Sequence, residues 1–168
     1  MTILSTDRLR LRRLVPHDAE FIHTLVNEPA FLRNIGDRGV HDLDGARAYI
    51  ERQEQSYERR GFALYLTSLR ESDLPIGICG LVGRDTLDHP DVGFAFLSAH
   101  WGRGYATESA AAVLEHARRD VGLTRVLGIT VPDNQASIRV LEKIGLRFEQ
   151  VIQLAGDDTP LALYVCEL

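Results

Sequence analysis

The sequence predicts one mixed α/β domain whose sheet is largely antiparallel, with a single parallel crossover. Three observations lead there. Short apolar runs are interspersed with segments of helical period. Two of those runs, "FALYLTSL" and "PIGICGLVG", flank the turn-rich "RESDLP" as the arms of a hairpin do. The second half reads strand–helix–strand–helix–strand, and the connection between the strands at Val92 and Val126 is long enough to be a parallel crossover.

Taken in order, "RLRLRRL" alternates strictly and predicts a first, half-exposed strand with Leu9 and Leu11 on one face. Pro16 opens a helix whose apolar positions are Ala19, Ile22, Leu25 and Val26. A longer, more polar helix runs from Asp42 to Arg60 and stops at Gly61. After the hairpin, "DVGFAFL" is a strand. The helix that follows the glycines of "HWGRGYATES" carries Ala110, Val113, Leu114, Ala117 and Val121 on one stripe, a Glu115–Arg119 pair on another face, and Gly122 at its end. "RVLGITV" is a strand, "NQASIRVLEKIG" a short helix, and "LALYVCEL" a closing strand.

The 168 residues contain no repeat, low-complexity tract or linker, so the domain spans 1–168. A net charge of -5 argues against a nucleic-acid partner and is compatible with a cationic acceptor. No signal peptide or membrane-length apolar run is evident, so no membrane partner is expected and the location expected is cytoplasmic. Cys79 and Cys166 lie far apart in apolar runs, which predicts buried free thiols, no disulfide and no metal site. Monomer and homodimer are both compatible with the chain.

The functional signal is the strand–Gly–x–Gly–helix junction at Gly102 and Gly104. Such a junction presents unpaired N–H groups at the positive end of a helix dipole, and the missing side chains let an anion approach. Arg103 adds charge. The same glycines also serve a plain turn between strand and helix. A Walker loop is absent, and Thr107 occupies the place of the third small residue of a dinucleotide fingerprint, which disfavours a nicotinamide enzyme.

"DVGFAFLSAHWGRGYATES" followed by "NQASIRVLEKIGLRFE" resembles the GNAT superfamily of N-acetyltransferases, and most closely its ribosomal-protein-alanine N-acetyltransferase branch. "TDRLRLRRLVPHDAE" and "VNEPAFLRNIGD" resemble that branch too. The resemblance implies the GNAT fold, a mostly antiparallel sheet with a splayed parallel pair, and an enzyme that moves an acetyl group from acetyl-CoA to a primary amine. The acceptor is a protein N-terminus or a small-molecule amine. A non-catalytic acyl-CoA sensor is the rival reading.

Carried onto this chain, the resemblance assigns diphosphate binding to the amides of Gly102, Arg103, Gly104, Tyr105, Ala106 and Thr107, with Trp101 in place of the usual Gln or Arg. The Thr107 hydroxyl either assists or satisfies the first helical turn. Phe96 and Leu97 are expected to offer their backbone to the pantetheine arm, and the Leu97 N–H to stabilise the oxyanion. Asn134 is either a helix N-cap or a cofactor contact. The common tyrosine acid is replaced by Leu141, which leaves Ser137 or water to protonate the thiolate. Asp91 is the first candidate for the base that deprotonates the amine, against a plain solvated aspartate; Glu28 and His100 are the runners-up. Acceptor recognition falls on Val26–Arg60 and on the segment around Leu154–Leu161.

Overall fold

The computed structural model describes all 168 residues. "RLRLRR" is a strand, but the second one: β1 (Thr2–Ser5) precedes it, and β2 (Leu9–Arg12) lies between β1 and β3 (Leu64–Leu69). Leu9 and Leu11 of β2 are completely buried on the sheet face that packs with the helix over Tyr105–His116. A 3-10 turn at Pro16–Asp18 leads into α1 (Ala19–Val26), then α2 (Pro29–Asn34) and α3 (Leu43–Arg60). Asp42 caps α3 by accepting the Gly45 N–H at 2.7 Å, and Gly61 ends it in the left-handed conformation that glycine adopts freely.

β3 and β4 (Pro75–Val82) form the expected hairpin, and β5 (Asp91–Phe96) pairs antiparallel with β4. α4 (Tyr105–His116) buries Ala110, Val113, Leu114 and Ala117 as expected. Its last turn, Ala117–Val121, widens into a π-helix before Gly122, and Glu115 pairs with both Arg118 and Arg119. β6 (Arg125–Thr130), α5 (Gln135–Lys143), β7 (Arg147–Ile152) and β8 (Leu161–Glu167) complete an eight-stranded sheet of order β1-β2-β3-β4-β5-β6-β8-β7. Every neighbouring pair is antiparallel except β5–β6.

Strand alternation divides the core between the two faces of the sheet. Tyr65, Cys79, Leu81, Val92 and Phe96 pack with α4 on one face. Leu66 and Ile78 pack with α1 and α3 on the other, joined at the margin by Ala95 and Leu97. α5 docks on β6 through Leu141, and Gly128 makes room for it: a Cβ there would stand 2.7 Å from one Leu141 methyl and 2.9 Å from Leu146. Leu141 is 1% exposed, so this position has become core. No helix is long and apolar enough to cross a membrane.

Candidate active site

Beyond Phe96 the chain makes a 3-10 turn (Ser98–His100), passes Gly102 and Gly104, and enters α4. Both glycines have positive φ, 75° and 82°, which L side chains rarely adopt; around Gly102 a Cβ would meet nothing within 4 Å. The N–H groups of Gly102, Arg103, Gly104, Tyr105, Ala106 and Thr107 donate to no protein acceptor. The first intrahelical bond is Glu108 N–H to Gly104 C=O at 3.0 Å, and no side chain caps the terminus. The expectation of several unpaired amides at this junction therefore holds. The turn also carries the exposed Arg103, and Thr107 uses its hydroxyl in no protein hydrogen bond. Such a row of donors at a helix N-terminus fits a diphosphate.

Beside the turn the sheet opens. β5 and β6 share one ladder pair, Asp91 with Leu127, held by the Leu127 N–H to Pro90 C=O bond at 2.9 Å. No pair forms further along, so the strands diverge toward the glycine turn. Hydrogen-bond parity shows which backbone groups face this gap. Leu97 N–H donates to Ile76 C=O at 2.9 Å, so Asp91, Gly93, Ala95 and Leu97 direct their backbone groups to β4, while Val92, Phe94 and Phe96 direct theirs toward β6. On β6, Leu168 N–H donates to Thr124 C=O, which assigns the even-numbered residues to β8 and turns Ile129 toward the gap.

This corrects one expectation for Leu97. Its N–H is engaged by Ile76 and its C=O accepts from His100 N–H at 2.9 Å, so it has no main-chain group free for an oxyanion. The N–H groups that face the gap belong to Phe94 and Phe96. The Phe96 C=O is held by Trp101, whose indole N–H donates to it at 2.8 Å. Trp101 thus ties the glycine turn to the end of the strand, a contact that no local sequence pattern reports.

Asp91 is not the solvated strand-end aspartate, nor is it a free carboxylate. It is 2% exposed and pairs with Arg84, Nε to Oδ1 at 2.8 Å and Nη2 to Oδ2 at 3.4 Å. Burial raises its pKa above the usual carboxylate range, with the charge and hydrogen bond of Arg84 pulling it back. It stands where β5 and β6 are still joined, five residues from Phe96 and so about 16 Å along an extended strand. Both carboxylate oxygens face a guanidinium, which is the geometry of a buried ion pair.

Glu28 is placed differently. At the N-cap of α2, it reaches across to the residue after Leu97 and accepts the Ser98 N–H at 3.0 Å, with the Ser98 hydroxyl at 3.5 Å. It is therefore next to the wide end of the gap, on the face that carries α1 and α2. His100 has a buried Nδ1 without a partner.

Asn134 is the N-cap of α5: its Oδ1 accepts the Ser137 N–H at 3.2 Å. Ser137 is half-buried in the first turn, just past the C-terminal end of β6, and its hydroxyl bonds to no protein group. Both cysteines are free. Cys79 is buried, with its thiol pushed up to about 12 by desolvation, while Cys166 is only half-buried. A thiol so far from ionisation is no nucleophile at neutral pH. Phe31, Tyr49, Phe62 and Tyr65 are core residues.

A profile of the acetyltransferase (GNAT) domain matches residues 8–147. YkkB, an uncharacterized protein of Bacillus subtilis, is 30% identical over 166 residues, which cover 97% of this chain and 94% of that protein. YoaA of the same organism, an uncharacterized N-acetyltransferase, is 27% identical over 152 residues, 90% of this chain and 86% of that one. Among solved structures, an acetyltransferase from Agrobacterium tumefaciens has a TM-score of 0.85 at 25% identity, covering 100% of this chain and 95% of that one. RimL, a ribosomal-protein alpha-N-acetyltransferase in complex with coenzyme A, shares the fold at TM-score 0.85 and 20% identity, covering 100% and 98%. The domain match takes in the glycine turn, the diverging strand pair and α5 together, and the chain belongs to the GNAT family of acetyltransferases.

Proposed function

We propose that this enzyme moves the acetyl group of acetyl-CoA onto a primary amine by direct attack, and that the acceptor is a protein N-terminal α-amine. The observation that carries the donor half is the row of six unpartnered amides, Gly102 to Thr107, adjoining a gap between two parallel strands. The turn supplies donors for a diphosphate, and the gap supplies main-chain groups for an amide-bearing arm. The acceptor half draws on the resemblance of the opening segments to the ribosomal-protein branch and on the shared fold of RimL.

Within this reading the Phe94 and Phe96 N–H groups polarise the thioester carbonyl, in the place expected for Leu97. The amine must arrive neutral. An α-ammonium has a pKa of roughly 8, so about a fifth is neutral near pH 7.4, against about a thousandth for a lysine. A modest base suffices for the α-amine, and Glu28, at the wide end of the gap, takes its proton through one water. Asp91 keeps the sheet end in order by holding Arg84. Ser137 donates its unpartnered hydroxyl toward the departing thiolate, a group of pKa near 8.5 for which a weak acid is adequate. Asn134 orients Ser137 by capping the helix that bears it.

The test is turnover, followed as thiol release, on short peptides with free N-termini, on the same peptides N-terminally blocked but carrying a lysine, and on small amines. Faster release with the free N-termini supports the reading; CoA binding with no turnover on any amine would favour the sensor. Glu28→Gln keeps the contact to Ser98, and should lower kcat/KM at least tenfold at neutral pH with recovery at high pH. Asp91→Asn should leave the pH profile in place. The opposite pattern would return the base to Asp91.

A further inference from the structure

One turn into α4 stands Glu108. A carboxylate there complements the helix dipole, yet it opposes any second anion at the same terminus. The fold answers with a residue one hundred positions earlier. Thr6 donates its hydroxyl and Arg8 its backbone N–H to Glu108 Oε1, at 2.8 and 3.0 Å. Arg8 Nε donates to Oε2 at 2.7 Å, and Nη2 stands 2.7 Å from the same oxygen in the ion pair. The guanidinium carbon lies 4.5 Å from the centroid of the Tyr105 ring, and Nη2 is 3.4 Å from where a Cβ on Gly104 would be. Arg8 thus adjoins the amide row, at the two residues where the turn becomes helix.

A guanidinium has five N–H donors, and Glu108 accepts the one on Nε. The four on the Nη nitrogens have no protein hydrogen-bond acceptor, and the Arg8 side chain is 48% solvent-accessible. Its position is doubly fixed, by the carboxylate and by the aromatic ring beneath it, so little further ordering is needed when an anion arrives.

We propose that Arg8 is a direct ligand of the nucleotide cosubstrate's diphosphate, held beside the Gly102–Thr107 amides by Glu108 and Tyr105. The inference rests on the acetyl-CoA reading above. Glu108 is the positioning residue of the pair: it anchors the guanidinium, which in turn masks a negative charge that would weaken the phosphate site. The arrangement also gives Gly104 a second reason to lack a side chain, since a branched residue would fill the space between the turn and Arg8.

The test compares CoA, dephospho-CoA and acetylpantetheine, which lacks the diphosphate, by titration of the fluorescence of Trp101, the chain's single tryptophan. Arg8→Gln should weaken CoA and dephospho-CoA alike by about tenfold to a hundredfold, the range of a charge-assisted hydrogen bond, and leave acetylpantetheine unchanged. Arg8→Lys keeps the charge but loses the planar fork that is held by Glu108 and Tyr105, so it should weaken both nucleotides only a few-fold; it also carries the test if the glutamine variant does not fold. Equal weakening of acetylpantetheine would make Arg8 a support of the fold and overturn the proposal. A loss confined to CoA would move the contact to the 3′-phosphate and overturn it as well. Wild-type CoA affinity in Arg8→Gln, with Gly104→Val having lost CoA, would remove Arg8 alone. If neither variant affects CoA, the diphosphate reading itself fails.

Discussion

Arg84→Ala tests whether Asp91 is the buried partner of an ion pair. In the folded chain the Asp91 side chain is 3% exposed and Arg84 is its partner at 2.8 Å. Removing one member of a buried pair leaves an uncompensated charge and costs about 3–5 kcal/mol. For a domain of this size each kcal/mol moves Tm by about 2–4 °C, so the drop at pH 8 should be roughly 6–20 °C. Burial already raises the folded-state pKa of Asp91 above its unfolded value, and Arg84 is what limits the rise. Ionised Asp91 therefore disfavours folding, and without Arg84 it does so more strongly. Stability of the variant should recover as pH falls through the raised folded-state pKa, because the carboxyl protonates in place. Thermal melts of wild type and variant at pH 8 and pH 5 read this directly: the gap between them should shrink at pH 5. A gap of equal size at both pH values, or one that widens in acid, would refute the buried-pair account.

Two further outcomes are expected. Ser137→Ala should lower kcat by several-fold with little change in CoA affinity, because its hydroxyl has no structural partner to lose; a change in affinity without one in kcat would recast it as a binding contact. Gly128→Ala should destabilise by about 1–3 kcal/mol, through a Cβ forced to within 3 Å of Leu141 and Leu146, as a chemical melt would show. Unchanged stability would mean that α5 shifts freely on β6.

Much of the fold was legible because its elements carry strong local chemistry. Asp42 and Gly61 bracket α3, the apolar stripe of α4 is regular, and "RESDLP" marks the β3–β4 hairpin. β1, α2 and β7 were not. β1 is four residues long, α2 is six, and β7 is an edge strand with Phe148 and Val151 both 56% exposed, so none has the period that burial imposes.

At the site, the glycine turn was readable because positive φ demands glycine. The role of Leu97 was not, because parity within a ladder depends on which residue of β4 lies opposite. Asp91 looked available since its partner sits in an irregular loop seven residues earlier with no motif around it. Arg8 and Glu108 meet across one hundred residues, a distance that no local pattern reports.

A crystal structure with CoA bound would test the central claim most directly. The account predicts the diphosphate against the Gly102–Thr107 amides with Arg8 beside it, and the pantetheine arm between β5 and β6 near the Phe94 and Phe96 N–H groups. A nucleotide bound elsewhere, with that turn and gap left to solvent, would contradict it.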